Sequence, residues 1–224
     1  MAITVRDIIR TVPAASARPV GDALYGLVKF LQPDTLLEVG TWLGHSALHM
    51  ALACAENGRG RIYCVDNWSL HGGDRQQLEQ TLQITGLDRH VRLVEGDSLQ
   101  VPWPPVLDFV FLDGNHSYAY VKAETEKAMA LQAQVIVLDD STEWEAIGRY
   151  VDELRDTMTR HGYDVAEFIP PTQPSDRLRR AEQTMQGSTV PSPDHGGLTI
   201  LTRRTPRPKG LFSEAEFPKG YIEQ

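Results

Sequence analysis

Two rhythms of apolar and polar positions alternate along the chain. Short apolar runs close on glycine or aspartate, and between them lie longer stretches with apolar residues at helical spacing. In residues 20–31, Leu24, Leu27, Val28 and Leu31 follow the i, i+3, i+4, i+7 pattern of a helix with one apolar face, and Pro33 ends it. T-L-L-E-V-G then predicts a buried strand. H-S-A-L-H-M-A-L-A-C-A-E-N predicts a helix broken by Gly58 and Gly60, and R-I-Y-C-V-D predicts a second strand. A helix over about 74–85, a third strand in V-R-L-V-E-G-D and a fourth in L-D-F-V-F-L-D-G follow. A helix over about 118–132 leads to a fifth strand, Q-V-I-V-L-D-D, and then to a long helix that stops at Gly162.

Five alternations of strand and helix predict an α/β fold with a parallel sheet, helices on both faces and right-handed crossovers. After the last helix the rhythm changes. D-V-A-E-F-I-P and G-G-L-T-I-L-T-R-R predict an antiparallel pair at one sheet edge. Between them residues 170–195 hold five prolines, too long a connection for a passive hairpin loop. The chain thus divides into a helical lead (1–33), a domain (34–204) carrying the 170–195 insertion, and a Pro-, Lys- and Glu-rich tail (205–224).

At 224 residues the chain is long enough to bury a core without disulfides, and Cys54 and Cys64 are expected buried and reduced. No apolar run approaches a membrane span, and Arg6, Asp7 and Arg10 interrupt any signal-like start, so a cytoplasmic location is expected. The net charge is −8, which argues against nucleic acid as partner. The charge is uneven: residues 171–210 hold seven basic and three acidic side chains, a local +4, leaving −12 elsewhere. The lead helix and tail offer surface for a homo-oligomer.

In open α/β sheets ligands bind beyond the carboxyl ends of the strands. The first strand ends in E-V-G-T-W-L-G-H-S, where Gly40 permits a tight turn and free N–H groups at the next helix start attract an anion. The middle glycine of a dinucleotide fingerprint is missing. Asp66 ends the second strand and fits either a ribose-holding acid or a helix cap. Gly96, Asp97 and Ser98 end the third, where Asp97 fits an adenine contact or a cap. Asp113 ends the fourth strand, and Asp139 and Asp140 end the fifth. Adjacent strand ends lie about 5 Å apart, so these three carboxylates are expected to meet at one rim. Their repulsion calls for a divalent cation or raised pKa values, unless Asp139 and Asp140 merely cap the next helix. His116 suits a general base or a packing role. His45 fits a contact to the amino-acid part of a cofactor or a plain helix cap, His195 ends the insertion either closing over the site or as an ordinary loop histidine, and Trp68 and Trp144 fit either pocket walls or core.

Together these segments resemble the class I methyltransferases that use S-adenosylmethionine (SAM). The resemblance covers about residues 34–155 and continues, in strand order, to the C-terminal hairpin. It implies a Rossmann-like methyltransferase fold, with a mainly parallel seven-stranded sheet. E-V-G-T-W-L-G-H-S is similar to the glycine motif of the catechol O-methyltransferase group. On that pattern Glu38, Gly40, Thr41 and Trp42 line the SAM site and Ser46 binds its carboxylate. Asp66 with Asn67 holds the ribose, Asp97 and Ser98 face the adenine, and Asp113 borders the cofactor. D-G-N-H-S-Y and V-L-D-D resemble the small metal-dependent sugar O-methyltransferases of actinobacterial pathways (the macrocin O-methyltransferase and cephalosporin-hydroxylase-like group). There the metal is usually magnesium, and the matching positions are Asp113, Asp139 and Asp140.

The resemblance implies methyl transfer to a hydroxyl of a small-molecule or oligosaccharide acceptor, with His116 or Asp113 taking the proton. Other outcomes remain: a catechol-like or other phenolic acceptor, a hydroxylase or cyclase on the same fold, or a non-catalytic binding subunit. A nicotinamide dehydrogenase fits worst, because the triple-glycine turn is missing.

Overall fold

The computed structural model of the chain describes residues 3–14, 18–68, 73–141, 144–168 and 197–206. It begins with a helix that the apolar spacing does not announce, α1 (Val5–Ile9). A capping box starts it, in which Thr4 and Asp7 each bond the other's backbone N–H. Then follow α2 (Arg18–Leu31), β1 (Thr35–Val39), α3 (His45–Asn57), β2 (Arg61–Asp66), α4 (Arg75–Thr85) and β3 (Val91–Glu95). β4 (Phe109–Leu112), α5 (Tyr118–Ala130), β5 (Val135–Leu138), α6 (Glu145–His161), β6 (Tyr163–Phe168) and β7 (Leu198–Arg203) complete it.

The sheet has seven strands in the order β3-β2-β1-β4-β5-β7-β6. The first five are parallel, as the alternation of strands and helices requires. β7 runs antiparallel to both β5 and β6. The expected antiparallel pair is therefore present, but its later strand lies inside. β6 sits two places out from β5, and β7 fills the slot between them. The insertion, and the tail from residue 207 on, fall outside the described residues.

Alternation along each inner strand divides the core in two. Leu36, Ile62, Cys64, Phe109, Phe111 and Val137 pack with α2, α3 and α4 on one face. Leu37, Tyr63, Val65, Val110, Ile136 and Leu138 pack with α5 and α6 on the other. Each such side chain contributes about 1.5–3 kcal/mol when fully buried. Cys54 and Cys64 are buried free thiols, as expected.

What positions the site is register. Val39 pairs with Leu112, and Leu112 with Leu138. The ladder continues one residue beyond: Asp113 N–H donates to the Val39 carbonyl at 2.9 Å and Asp139 N–H to the Leu112 carbonyl at 3.0 Å. Gly40, Asp113 and Asp139 leave the sheet side by side.

Candidate functional site

The first strand's loop is shaped by close backbone approach. Gly40 has φ +86°, and a β-carbon there would lie 2.0 Å from the Asp113 carbonyl oxygen. The glycine is needed for Asp113's own backbone. Gly44 opens α3 at φ +84°, with Leu78 where a side chain would go. Asp66, from the neighbouring strand, ties this loop: its Oδ2 accepts the N–H groups of Thr41 and Trp42 at 2.8 and 2.7 Å. Its Oδ1 accepts Trp68 N–H at 2.8 Å, and the Trp68 indole N–H donates to the Trp42 carbonyl at 3.0 Å. Asn67 lies half-buried beside them.

Glu38 is fully buried on β1 and accepts the Ser46 hydroxyl at 2.5 Å. Burial pushes its carboxyl up to about 7, against the hydrogen bonds that oppose it. Ser46, expected at the SAM carboxylate, thus spends its proton inside the protein. His45 is buried at the start of α3, its ring 4.5 Å from that of His49.

The acid rim forms where register places it. One ligand atom each from Asp113, His116 and Asp140 lie within 4.8 Å of one another. His116 Nε2 is 3.5 Å from Asp113 Oδ1 and 3.5 Å from Asp140 Oδ2. Asp140 holds φ +53°, a left-handed conformation costing a non-glycine residue about 1 kcal/mol or more. That turn separates it from Asp139, which is 1% exposed with no well-formed hydrogen bond to either carboxylate oxygen. Hence the trio with converging ligand atoms includes His116, while Asp139 stands behind it. Asp139 lines a small pocket with His116, Gly114, Asn115 and Glu124.

Burial raises the carboxyls of Asp113 and Asp139 well above the usual range, and the neighbouring acids add to it. Burial also raises Asp140, with His116 opposing. Unpartnered buried oxygens beside mutually repelling acids fit a divalent cation, which would restore the charged forms. Trp144 stacks on His116, with centroids 5.0 Å apart and planes 21° apart, and is 40% exposed.

At the third strand end, Asp97 Oδ1 accepts Leu99 N–H at 2.9 Å and Oδ2 accepts the Tyr120 hydroxyl at 2.9 Å. Ser98 is buried and its hydroxyl bonds Glu124. Sequence reasoning missed Glu124. The signal was there: an acid at the buried spacing Val121, Glu124, Thr125, Ala128 of a helix. His195 lies outside the described residues.

The model of a family described as a methyltransferase domain matches residues 37–163. No curated protein matches the chain by sequence. Among solved structures, the chain is similar to a Klebsiella pneumoniae protein assigned as an O-methyltransferase, at TM-score 0.61 and 18% identity over 90% of each chain. It is also similar to the O-methyltransferase TomG of Streptomyces achromogenes, involved in tomaymycin synthesis and solved with SAM. The TM-score there is 0.57, with 18% identity over 85% of this chain and 82% of that one. An O-methyltransferase from Bacillus cereus, solved with S-adenosylhomocysteine (SAH), gives 0.56 and 17% identity over 91% and 92%. These structures share the fold.

Proposed function

The chain belongs to the methyltransferase domain family, and from that premise we propose that it moves a methyl group from SAM to a hydroxyl oxygen of a small acceptor, with a divalent cation at the acid rim. The observation that carries this is the meeting of Asp113, His116 and Asp140 within 4.8 Å at the carboxyl ends of β4 and β5.

Asp113 and Asp140 would hold the cation, with Asp139 next to Asp140 in the chain, and the His116 imidazole beside them stays free to accept a proton. Carboxylate oxygens suit manganese as well as magnesium. Bound there, a cation supplies positive charge that lowers the pKa of an acceptor hydroxyl. The Gly40–Gly44 loop and Asp66 would receive the amino-acid and ribose parts of SAM, and the Asp97 loop its adenine.

The step balances simply. The acceptor oxygen forms the new C–O bond as the C–S bond breaks, and the sulfonium leaves as neutral SAH. The hydroxyl proton passes to His116 Nε2 or to Asp113. Holding donor and acceptor in line contributes about 7–11 kcal/mol in well-oriented systems.

For the acceptor we favour a sugar or saccharide precursor, supported by the D-G-N-H-S-Y and V-L-D-D pair. A phenolic acceptor is the second choice, favoured by the flat, half-exposed face of Trp144. The test is methyl transfer followed by mass spectrometry across sugar and phenol panels, with and without chelator. Chelated enzyme is expected to keep SAM binding and lose turnover. Undiminished turnover removes the cation, and failure to bind SAM or SAH removes the whole proposal.

A further inference from the structure

Glu124 is an acid at a core position of α5. It is 1% exposed, among Val121, Thr125 and Ala128 on the buried side of the helix. Its bonded partner is the Ser98 hydroxyl, in the loop after β3. The residues a turn to either side grip the same loop. Tyr120 donates to Asp97 Oδ2 at 2.9 Å. Lys127 Nζ donates to the carbonyls of Ser98 and Val101 at 2.9 and 3.1 Å and lies 4.5 Å over the Trp103 ring. The Trp103 indole N–H returns to the Ser98 carbonyl at 2.9 Å. One side of one helix therefore fixes the path of residues 97–103.

A buried carboxyl is an expensive way to pack a helix. An apolar side chain of similar volume is often neutral or stabilising at such a position. Burial raises the Glu124 carboxyl to about 7, which is the same cost seen in another form. The hydroxyl bond to Ser98 sets the loop's shape, and shape matters most where a ligand's edge must meet fixed N–H and C=O groups, since hydrogen bonds weaken steeply off their geometry.

We propose that Glu124 is a positioning residue for the methyl donor: by holding Ser98 it fixes the Asp97–Trp103 loop in the form that receives the adenosine end. This rests on the donor assignment made above.

The test is calorimetric titration of SAH into the full chain, with melting temperatures measured alongside. Glu124→Met is expected to melt near or above wild type yet bind SAH about tenfold more weakly, the scale of one lost hydrogen bond. Glu124→Gln, which still accepts from Ser98, should recover most of that affinity. Tyr120→Phe removes one phenol hydroxyl from a half-buried position and should weaken SAH by about threefold or more. A folded Glu124→Met that binds like wild type overturns the proposal, as does a loss of affinity that Glu124→Gln fails to recover. Should Glu124→Met not fold, unchanged affinity in Tyr120→Phe overturns it instead. Wild-type protein that binds no SAH sinks the donor assignment, and this proposal with it, before any variant is compared.

Discussion

The α-carbon of Gly40 faces the carbonyl of Asp113 so closely that a β-carbon would lie 2.0 Å from that oxygen. The loop that begins the candidate donor site and the strand end that begins the acid rim are thus one packed unit. Gly40→Ala must move Asp113 and also adopt φ +86°, which disfavours any L side chain. The expected cost is about 3 kcal/mol or more, from overpacking and backbone strain together. Denaturant unfolding measures it. SAH affinity and cation affinity should fall together in this variant, because one displacement disturbs both loops.

Asp66 makes a different prediction, since its hydrogen bonds go to the first loop and it acts on the rim only through its charge. Three backbone N–H groups, of Thr41, Trp42 and Trp68, converge on its carboxylate. Asp66→Ala leaves them unpaired and should cost about 2–3 kcal/mol of stability. SAH binding should weaken, while cation-induced stabilisation in a thermal melt stays near the wild-type value. Equal loss of both would mean that the loop and the rim cannot be separated.

Much of this was legible before any coordinates. Each inner parallel strand is a short apolar run that closes on glycine or aspartate, so both the strand and its chemical end could be read. The places that escaped depend on pairings distant in sequence. α1 is too short to show a period, and only the Thr4–Asp7 box marks it. The position of β7 between β5 and β6 is a long-range choice that no local pattern states. Spacing placed Asp113, Asp139 and Asp140 on one rim, but not the left-handed turn at Asp140 that sets His116, rather than Asp139, between the other two acids. Nothing nearby in sequence announces that the Ser46 hydroxyl donates to the buried Glu38.

The buried acids give the protein a characteristic pH dependence. Glu38 and Glu124 are each raised from 4.5 to about 7 by burial. Between those values the folded chain keeps protons that the unfolded chain has released. Their favourable contribution is therefore complete below about pH 4.5 and is lost as pH rises through about 7, on the order of 3 kcal/mol for each. Asp113 and Asp139 are raised for the same reason and act in the same direction. In chelator, the melting temperature should fall from about pH 5 to about pH 8, and Glu38→Gln should flatten part of that slope. Asp139→Asn should raise the melting temperature at the alkaline end and weaken stabilisation by magnesium or manganese. A flat profile in wild-type protein would show that these acids ionise freely in the fold.

Trp144 separates binding of the acceptor from the chemistry performed on it. One face of the indole covers the His116 ring, and the side chain is 40% exposed. Such a surface suits the apolar face of a sugar or the plane of a phenol, and neither contact involves the donor loops. Trp144→Ala should raise the acceptor KM by about tenfold, the scale of a lost aromatic contact of about 1.5 kcal/mol, and leave SAH affinity unchanged. Trp144→Phe should restore most of it, since phenylalanine keeps the flat face. The alternative is that the indole serves only to hold His116 in place. In that case kcat falls, KM stays level, and phenylalanine restores the rate instead. Steady-state kinetics on whichever acceptor is turned over distinguish the two, because an acceptor platform acts on KM and a support for the proton-accepting imidazole acts on kcat.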